Sequence, residues 1–254
     1  MGKLENLTAL VTGASRGIGR GTALRLAADG ARVAVHYGSN EQAARETVDA
    51  INGDGGTAFA IRADLRAPDA ARRLYAEFDA GLARLGAGPG LDILVNNAAV
   101  GPVGTIEETT EELFDELFAT NTRSTFFVTK YGLERMRDGG RVINISSAST
   151  RTAFPQSIGY CMSKGAVDVL TLGLAKHVGD RGITVNTVAP GFVETDMNAM
   201  LRQTPEAAAG LAALSVFNRI GRPADIADIV AFLASDEARW ITGQWISASG
   251  GSGL

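Results

Sequence analysis

Thr12-Gly13-Ala14-Ser15-Arg16-Gly17-Ile18-Gly19 follows an apolar run, Leu7 to Val11, that has the length of a buried strand. It leads into Gly17 to Ala28, a stretch rich in alanine and leucine with helical spacing. Strand, glycine turn and helix together form a phosphate-binding arrangement. The glycines let the backbone turn tightly and approach a pyrophosphate, and the helix start offers unpaired N–H groups to an anion.

Outward from this turn, strand-like runs alternate with helical patterns. The candidate strands are 7–11, 32–36, 58–61, 93–95, 142–145, 184–188 and 245–247. Such alternation predicts an α/β fold: one Rossmann-type, doubly wound parallel sheet of about seven strands with helices on both faces. Right-handed crossovers put all carboxyl ends of the strands on one edge, where a ligand crevice opens. A single domain over 1–254 is expected, and the segment 80–90 reads as a surface excursion without a catalytic role.

The 254 residues are 45% hydrophobic and carry a net charge of −4, which argues against nucleic acid as the main partner. No apolar run approaches the ~18 residues of a membrane span, and the N-terminus lacks a signal-peptide core. Cys161 is the only cysteine, so no internal disulfide is possible and a cytoplasmic setting fits. It reads as a small packed residue rather than a nucleophile. His36 and His177 are far apart, and no cluster has metal-ligand spacing, so no metal is expected.

The order of the remaining polar motifs is the specific signal. Asp64 and Asn96-Asn97-Ala98-Ala99 each follow a strand; then come Asn121, Ser147, Tyr160-Cys161-Met162-Ser163-Lys164 and Pro190-Gly191. A Tyr-x-x-x-Lys pair alone is weak, although Tyr160 is the only tyrosine with a lysine four places on. The whole series, in this order, resembles the short-chain dehydrogenase/reductase family over essentially the full chain. It is most similar to the 3-oxoacyl-[acyl-carrier-protein] reductase group.

The resemblance assigns Tyr160 as the acid that protonates a carbonyl oxygen. A free phenol has a pKa of ~10, and an ammonium four residues away on a helix, with the positive ring of an oxidised nicotinamide, favours the phenolate. Lys164 is expected to lower that pKa and to bond the nicotinamide ribose, Ser147 to hold the substrate oxygen, and Asn121 to anchor a water leading to solvent. The same resemblance places Gly13, Ser15, Gly17, Ile18 and Gly19 at the phosphates, Asp64 and Leu65 at the adenine, and Asn97 and Ala98 near the ribose. It places Pro190, Gly191, Val193 and Thr195 around the carboxamide. Taken singly, Asp64 and Asn97 read equally well as turn or capping residues.

NADP(H) is the expected cofactor. The second strand ends His36-Tyr37-Gly38-Ser39-Asn40, without the carboxylate that commonly holds a ribose 2′-hydroxyl. Arg16 inside the turn offers a guanidinium to a 2′-phosphate, with Tyr37, Ser39 and Asn40 beside it. Glu41 and a merely solvated Arg16 are the opposing readings.

The implied activity is reduction of a ketone, with a 3-oxoacyl thioester and a polyketide-like carbonyl as the candidates. The alternatives are a small-molecule alcohol dehydrogenase or carbonyl reductase and a non-catalytic dinucleotide sensor; the intact Asn121, Ser147, Tyr160 and Lys164 set opposes the last. A segment at about 192–217 would cover the substrate, in a pocket lined by Val100, Phe154, Ile158, Phe192 and Met197. An acyl carrier would need a basic surface, for which Arg123, Lys130, Arg151 and Arg202 are candidates. The helical stretches around 110–136 and 156–178 are apolar on more than one face, with Val167, Val169, Leu170, Leu172 and Leu174 on the latter. Trp240 and Trp245 read as core or subunit contacts. In related reductases such faces meet in a homotetramer. Three positions depart from the family pattern: Ala99, Gly21, and the tail Ser247-Ala248-Ser249-Gly250-Gly251.

Overall fold

The computed structural model of the protein describes residues 2–252. Seven parallel strands form one sheet in the order β3-β2-β1-β4-β5-β6-β7. They are β1 (Thr8–Val11), β2 (Arg32–Tyr37), β3 (Thr57–Arg62), β4 (Leu91–Asn96), β5 (Met136–Ile145), β6 (Thr184–Pro190) and β7 (Trp245–Ala248). Alternate side chains of each strand feed two cores. Ala9 and Val11 point toward the layer holding α1 (Gly17–Ala28), α2 (Glu41–Gly53) and α8 (Pro223–Ala234). Leu10 points toward α3 (Ala70–Arg84), α5 (Ser124–Leu133) and α6 (Ile158–His177). The strand order reverses between β1 and β4, which opens the crevice above their carboxyl ends.

Several element boundaries differ from expectation for physical reasons. The stretch around 110–136 is not one helix. It divides into α4 (Glu111–Leu117), a π turn over Phe118–Arg123 and α5, and Met136 already pairs with Leu91 as the first residue of β5. The excursion at 80–90 is largely the end of α3 and a loop whose Pro89 carbonyl accepts from Arg137 at 2.6 Å. It precedes β4 and so lies at the amino edge, away from the crevice. Gly21, which costs helix propensity, has a packing reason: a Cβ there would approach Pro223 of α8 to 3.1 Å. Val167 is buried against the sheet, whereas Val169 and Leu172 are 69% and 62% exposed, so the second face of α6 is not covered within the chain. Trp240, 95% exposed, is not a core residue.

A polar ladder crosses the buried sheet. Asn96 donates to Asn144 at 2.8 Å and to Thr129 at 2.9 Å, and Asn144 donates to Thr171 at 2.8 Å. The Thr171 hydroxyl proton goes to the Val167 carbonyl at 3.0 Å, so Thr187, 2.7 Å away, must be the donor of their shared bond. No helix among the described residues is long and apolar enough to cross a membrane.

Candidate active site

The glycine turn is built to receive something flat and close. Gly13 and Gly17 have φ of +63° and +55°, and a Cβ on Gly19 would lie 2.2 Å from the Gly13 carbonyl oxygen. No side chain caps the N-terminus of α1, and its first turn holds no acidic residue. Its leading N–H groups therefore remain for an anion, so the residues present fit a dinucleotide pyrophosphate.

Asn97 holds this turn in place. Its amide donates to the carbonyls of Thr12 (2.9 Å) and Gly13 (3.1 Å), while Thr12 accepts from the backbone of Asn97 and Ala98. The side-chain amide is thus committed to the turn. Asp64 accepts from the Arg66 guanidinium at 2.9 Å, which holds its carboxyl below the usual range. Leu65 and Tyr37 are buried, and Ser39 and Asn40 are exposed. The Asn40 side-chain oxygen caps α2 through Ala43 N at 3.0 Å. Arg16 projects from the turn but does not stand free: its guanidinium meets Asp196 at 3.3 Å, with both side chains exposed. Beside it, a Cβ on Gly17 would lie 3.1 Å from the Thr195 methyl group. The segment after Pro190-Gly191 therefore touches the glycine turn directly. Val193 is buried, and a Cβ on Gly191 would approach the Ser249 backbone to 3.0 Å, which places the altered tail beneath this segment.

Ser147 follows β5, Tyr160 and Lys164 lie one turn apart on α6, and all three meet at the carboxyl edge. Ser147 is near enough to the Tyr160 phenol to affect its ionisation. Its hydroxyl also pairs with Ser149 at 2.8 Å. Lys164 is 3% exposed, and its ammonium donates to the Ile145 carbonyl at 2.8 Å. Burial lowers its pKa to about 8, with Asp168 opposing the shift. Among the protein's own groups the shift at Tyr160 is upward. Burial pushes the phenol up to about 12, and the nearby Ser147 hydroxyl counteracts only part of that. The Lys164 ammonium is turned to Ile145, so desolvation dominates.

Asn121 is fully buried in the π turn. Its oxygen accepts from Val100 N at 2.9 Å, and its amide donates to the Val100 carbonyl at 2.9 Å and Ser163 at 3.0 Å. The side chain is therefore a clamp between the loop after β4 and α6. A water at this point would have to use the backbone carbonyl, which already accepts from Thr125 at 2.8 Å. The extra residue of a π turn is what lets Asn121 face inward here.

Of the expected pocket residues, Phe154 and Phe192 pack with ring centroids 6.1 Å apart. Ile158 departs: it lines a separate groove with Ile106, Thr109, Phe114 and Met162, because two helix positions rotate it about 200° from Tyr160. Sequence reasoning missed Gly101. A Cβ there would lie 2.9 Å from the Met197 sulfur and 3.5 Å from the Tyr160 ring, so this glycine keeps the space beside the phenol open. Its isolated position in a loop gave no signal. The basic candidates do not form one surface. Arg202 is tied to Glu194 and the Thr195 carbonyl, Arg151 lies 4.0 Å from the Trp245 ring centroid, and Arg123 and Lys130 lie over Phe127 and Tyr131. Cys161 is half-buried and unpaired. No group of three or more His, Cys, Asp or Glu in metal-binding geometry occurs among the described residues.

These features, a glycine turn over an open helix start and a Ser-Tyr-Lys set at the same sheet edge, define an oxidoreductase of the short-chain dehydrogenase/reductase family, and the chain belongs to that family. The family model described as enoyl-(acyl carrier protein) reductase matches residues 13–252. The angucycline C-6 ketoreductase LanV, solved with bound NADP, is 49% identical, with a TM-score of 0.95 over 99% of this chain and 97% of that one. The reductase LugOII, which catalyses keto-reduction at C1 in lugdunomycin biosynthesis, is 48% identical, with a TM-score of 0.96 over 99% of this chain and 100% of that one. Versicolorin reductase of Emericella nidulans is 39% identical over 98% of this chain and 97% of its own length.

Proposed function

We propose that the protein reduces a ketone to a secondary alcohol with NADPH, and that the ketone belongs to a fused-ring polyketide. The observation that carries the reading is the convergence of Ser147, Tyr160 and Lys164 beside the uncapped start of α1. Its relatives LanV, LugOII and versicolorin reductase support the substrate class. A 3-oxoacyl thioester on a carrier is the weaker reading, because Arg123, Lys130, Arg151 and Arg202 are each engaged locally.

The cofactor, when bound, supplies a hydride. Gly13, Ser15, Gly17, Ile18 and Gly19 would hold its phosphates, Arg16 the 2′-phosphate, and Thr195 and Val193 its carboxamide. Ser147 orients the ketone oxygen. Tyr160, neutral at pH 7 with its pKa about 12, is already in the proton-donating form that reduction requires. An alkoxide is a far stronger base than a phenolate, so the transfer still runs downhill. Lys164, mostly charged at pH 7, stabilises the phenolate that is left. The segment 192–217 carries Met197, Met200, Val216 and Phe217 more than half exposed, an apolar surface suited to covering a ring system. The exposed Val169 and Leu172, with the apolar groove between Phe126, Leu133, Leu170 and Leu174, support assembly into a homotetramer. The lone unpaired cysteine fits a cytoplasmic enzyme.

A panel of fused-ring quinone ketones, simple aryl ketones and 3-oxoacyl thioesters, assayed with NADPH, tests this. Turnover confined to thioesters would overturn the polyketide reading, and no turnover with any ketone would overturn the activity.

A further inference from the structure

His36 lies under the glycine turn, 2% exposed. Its ring spans two backbone segments. The Gly13 N–H reaches Nδ1 at 3.0 Å, and Nε2 meets the Ala63 carbonyl at 3.0 Å. The His36 carbonyl also accepts from Ala14 N at 2.8 Å. A carbonyl can only accept, so Nε2 carries the proton. An amide N–H can only donate, so Nδ1 does not. The backbone thereby selects one neutral tautomer. Burial agrees, lowering the imidazole pKa to about 4. A histidine beneath a phosphate-binding turn would ordinarily suggest a positive charge for the anion. This one contributes geometry instead.

Gly13 depends on that geometry. Its left-handed conformation aims the N–H inward, and a Cβ at this position would lie 2.9 Å from the Ala98 Cα. Without an acceptor below, the donor would be buried and unpaired, which a folded chain avoids by moving the backbone. The Ala63 carbonyl begins the Ala63-Asp64-Leu65 segment on the other side of the crevice. We propose that His36 is a positioning residue for the dinucleotide, a rigid neutral pin that sets the phosphate turn and the adenine-side loop at a fixed separation. The proposal rests on the NADP(H) reading above. His36 touches no reacting atom, so its removal should affect cofactor affinity and leave the ketone chemistry alone.

Three substitutions separate the two bonds. An Asn oxygen falls near the place of Nδ1, so His36→Asn keeps an acceptor for Gly13. A Gln amide nitrogen falls near the place of Nε2, so His36→Gln keeps a donor for Ala63. His36→Leu keeps neither. NADPH affinity is read by nicotinamide fluorescence, and kcat and both KM values by ketone turnover. His36→Leu should raise the NADPH Kd and KM by about ten-fold or more, with kcat at saturating NADPH and the ketone KM within about two-fold of wild type. His36→Asn should recover most of that affinity and His36→Gln less, since the Gly13 bond holds the phosphate turn itself and the Ala63 bond only the adenine-side loop. In the wild type, ¹⁵N NMR of the imidazole at pH 7 should show Nε2 protonated and Nδ1 bare. If His36→Leu does not fold, the Asn and Gln variants decide by their order. Equal NADPH affinity across the folded variants, a fall in kcat matching the rise in KM, or an imidazolium at pH 7 would overturn the pin. Wild-type protein that does not bind NADPH would overturn the cofactor reading itself, a result distinct from wild-type binding with indifferent variants.

Discussion

Lys164→Met should abolish turnover without weakening the fold. The Lys164 ammonium is 3% exposed and its pKa falls from 10.5 to about 8. At 1.36 kcal/mol per pKa unit, that difference corresponds to roughly 3 kcal/mol by which burial disfavours the charged form. Below pH 8 the folded protein carries this cost in full. Between pH 8 and 10.5 the folded state has shed the proton while the unfolded chain retains it, so stability rises with pH. Methionine fills a similar volume with no charge. Against the gain stands the Ile145 carbonyl, which loses its 2.8 Å donor at a cost of about 1–3 kcal/mol. The two terms nearly cancel, so the variant should melt within about 5 °C of wild type. Turnover should drop about 10²-fold or more, because Tyr160 loses the charge that stabilises its phenolate. Urea unfolding at pH 7 and 9.5 gives the sharper measurement. The wild type should gain about 2 kcal/mol across this window and Lys164→Met should lack that gain. Tyr160, raised to about 12, works in the opposite direction only above pH 10, where the unfolded phenol ionises first. A variant more than about 3 kcal/mol less stable than wild type at pH 7, or a wild type whose stability is flat from pH 7 to 9.5, would refute the reasoning.

Tyr160→Phe should lower kcat by about 10²–10⁴ with NADPH binding nearly unchanged by fluorescence, and retention of most activity would remove the phenol from the mechanism. Arg16→Ala should weaken NADPH by about ten-fold or more and NADH hardly at all, since it removes a charge-assisted bond of about 1.5–3 kcal/mol to the phosphate but also frees Asp196. Equal losses for both cofactors would show that Arg16 is only a surface partner of Asp196. Sedimentation at micromolar concentration should show a tetramer; a species near the 26.4 kDa of one chain would refute assembly through the exposed face of α6, and a dimer would indicate that the altered tail has lost the second contact.

The sheet was legible because its strands are buried on both faces and therefore read as short unbroken apolar runs, with punctuation between them. Five of the seven lengthened by one to three residues, β1 lost Leu7, and β5 reached back to Met136 through Arg137, Asp138 and Gly139, residues that carry no strand signal. The π turn at 118–123 was invisible because its hydrogen-bond pattern leaves no mark on residue type. At the site, residue identities and order were readable, but the allocation of hydrogen bonds was not. Asn97 and Asn121 each have a protein partner that depends on the approach of a distant segment, and Asp64 is taken by Arg66 two residues on. The direction of the Tyr160 shift depended on where the Lys164 ammonium points, which spacing along a helix does not decide. His36 was visible in the sequence only as a histidine without metal-ligand spacing, because at a strand end it looks the same whether it pins a turn or only fills space.

The ladder from Asn96 to Thr187 bears on how this chain can change over time. Asn96 donates to Asn144, Asn144 to Thr171, and Thr187 back to Thr171, and the Asn96 side-chain oxygen is already without a partner. Losing one member leaves its neighbours buried and unpaired, whereas replacing all of them together with apolar groups would be nearly neutral. Single-step mutation therefore meets a barrier that no single intermediate avoids, and the ladder becomes entrenched. The loops above it, at 97–104 and 192–217, share none of these bonds and can be exchanged independently. A new ketone can be accommodated by rewriting those loops while the stitched strands keep presenting the same serine, tyrosine and lysine.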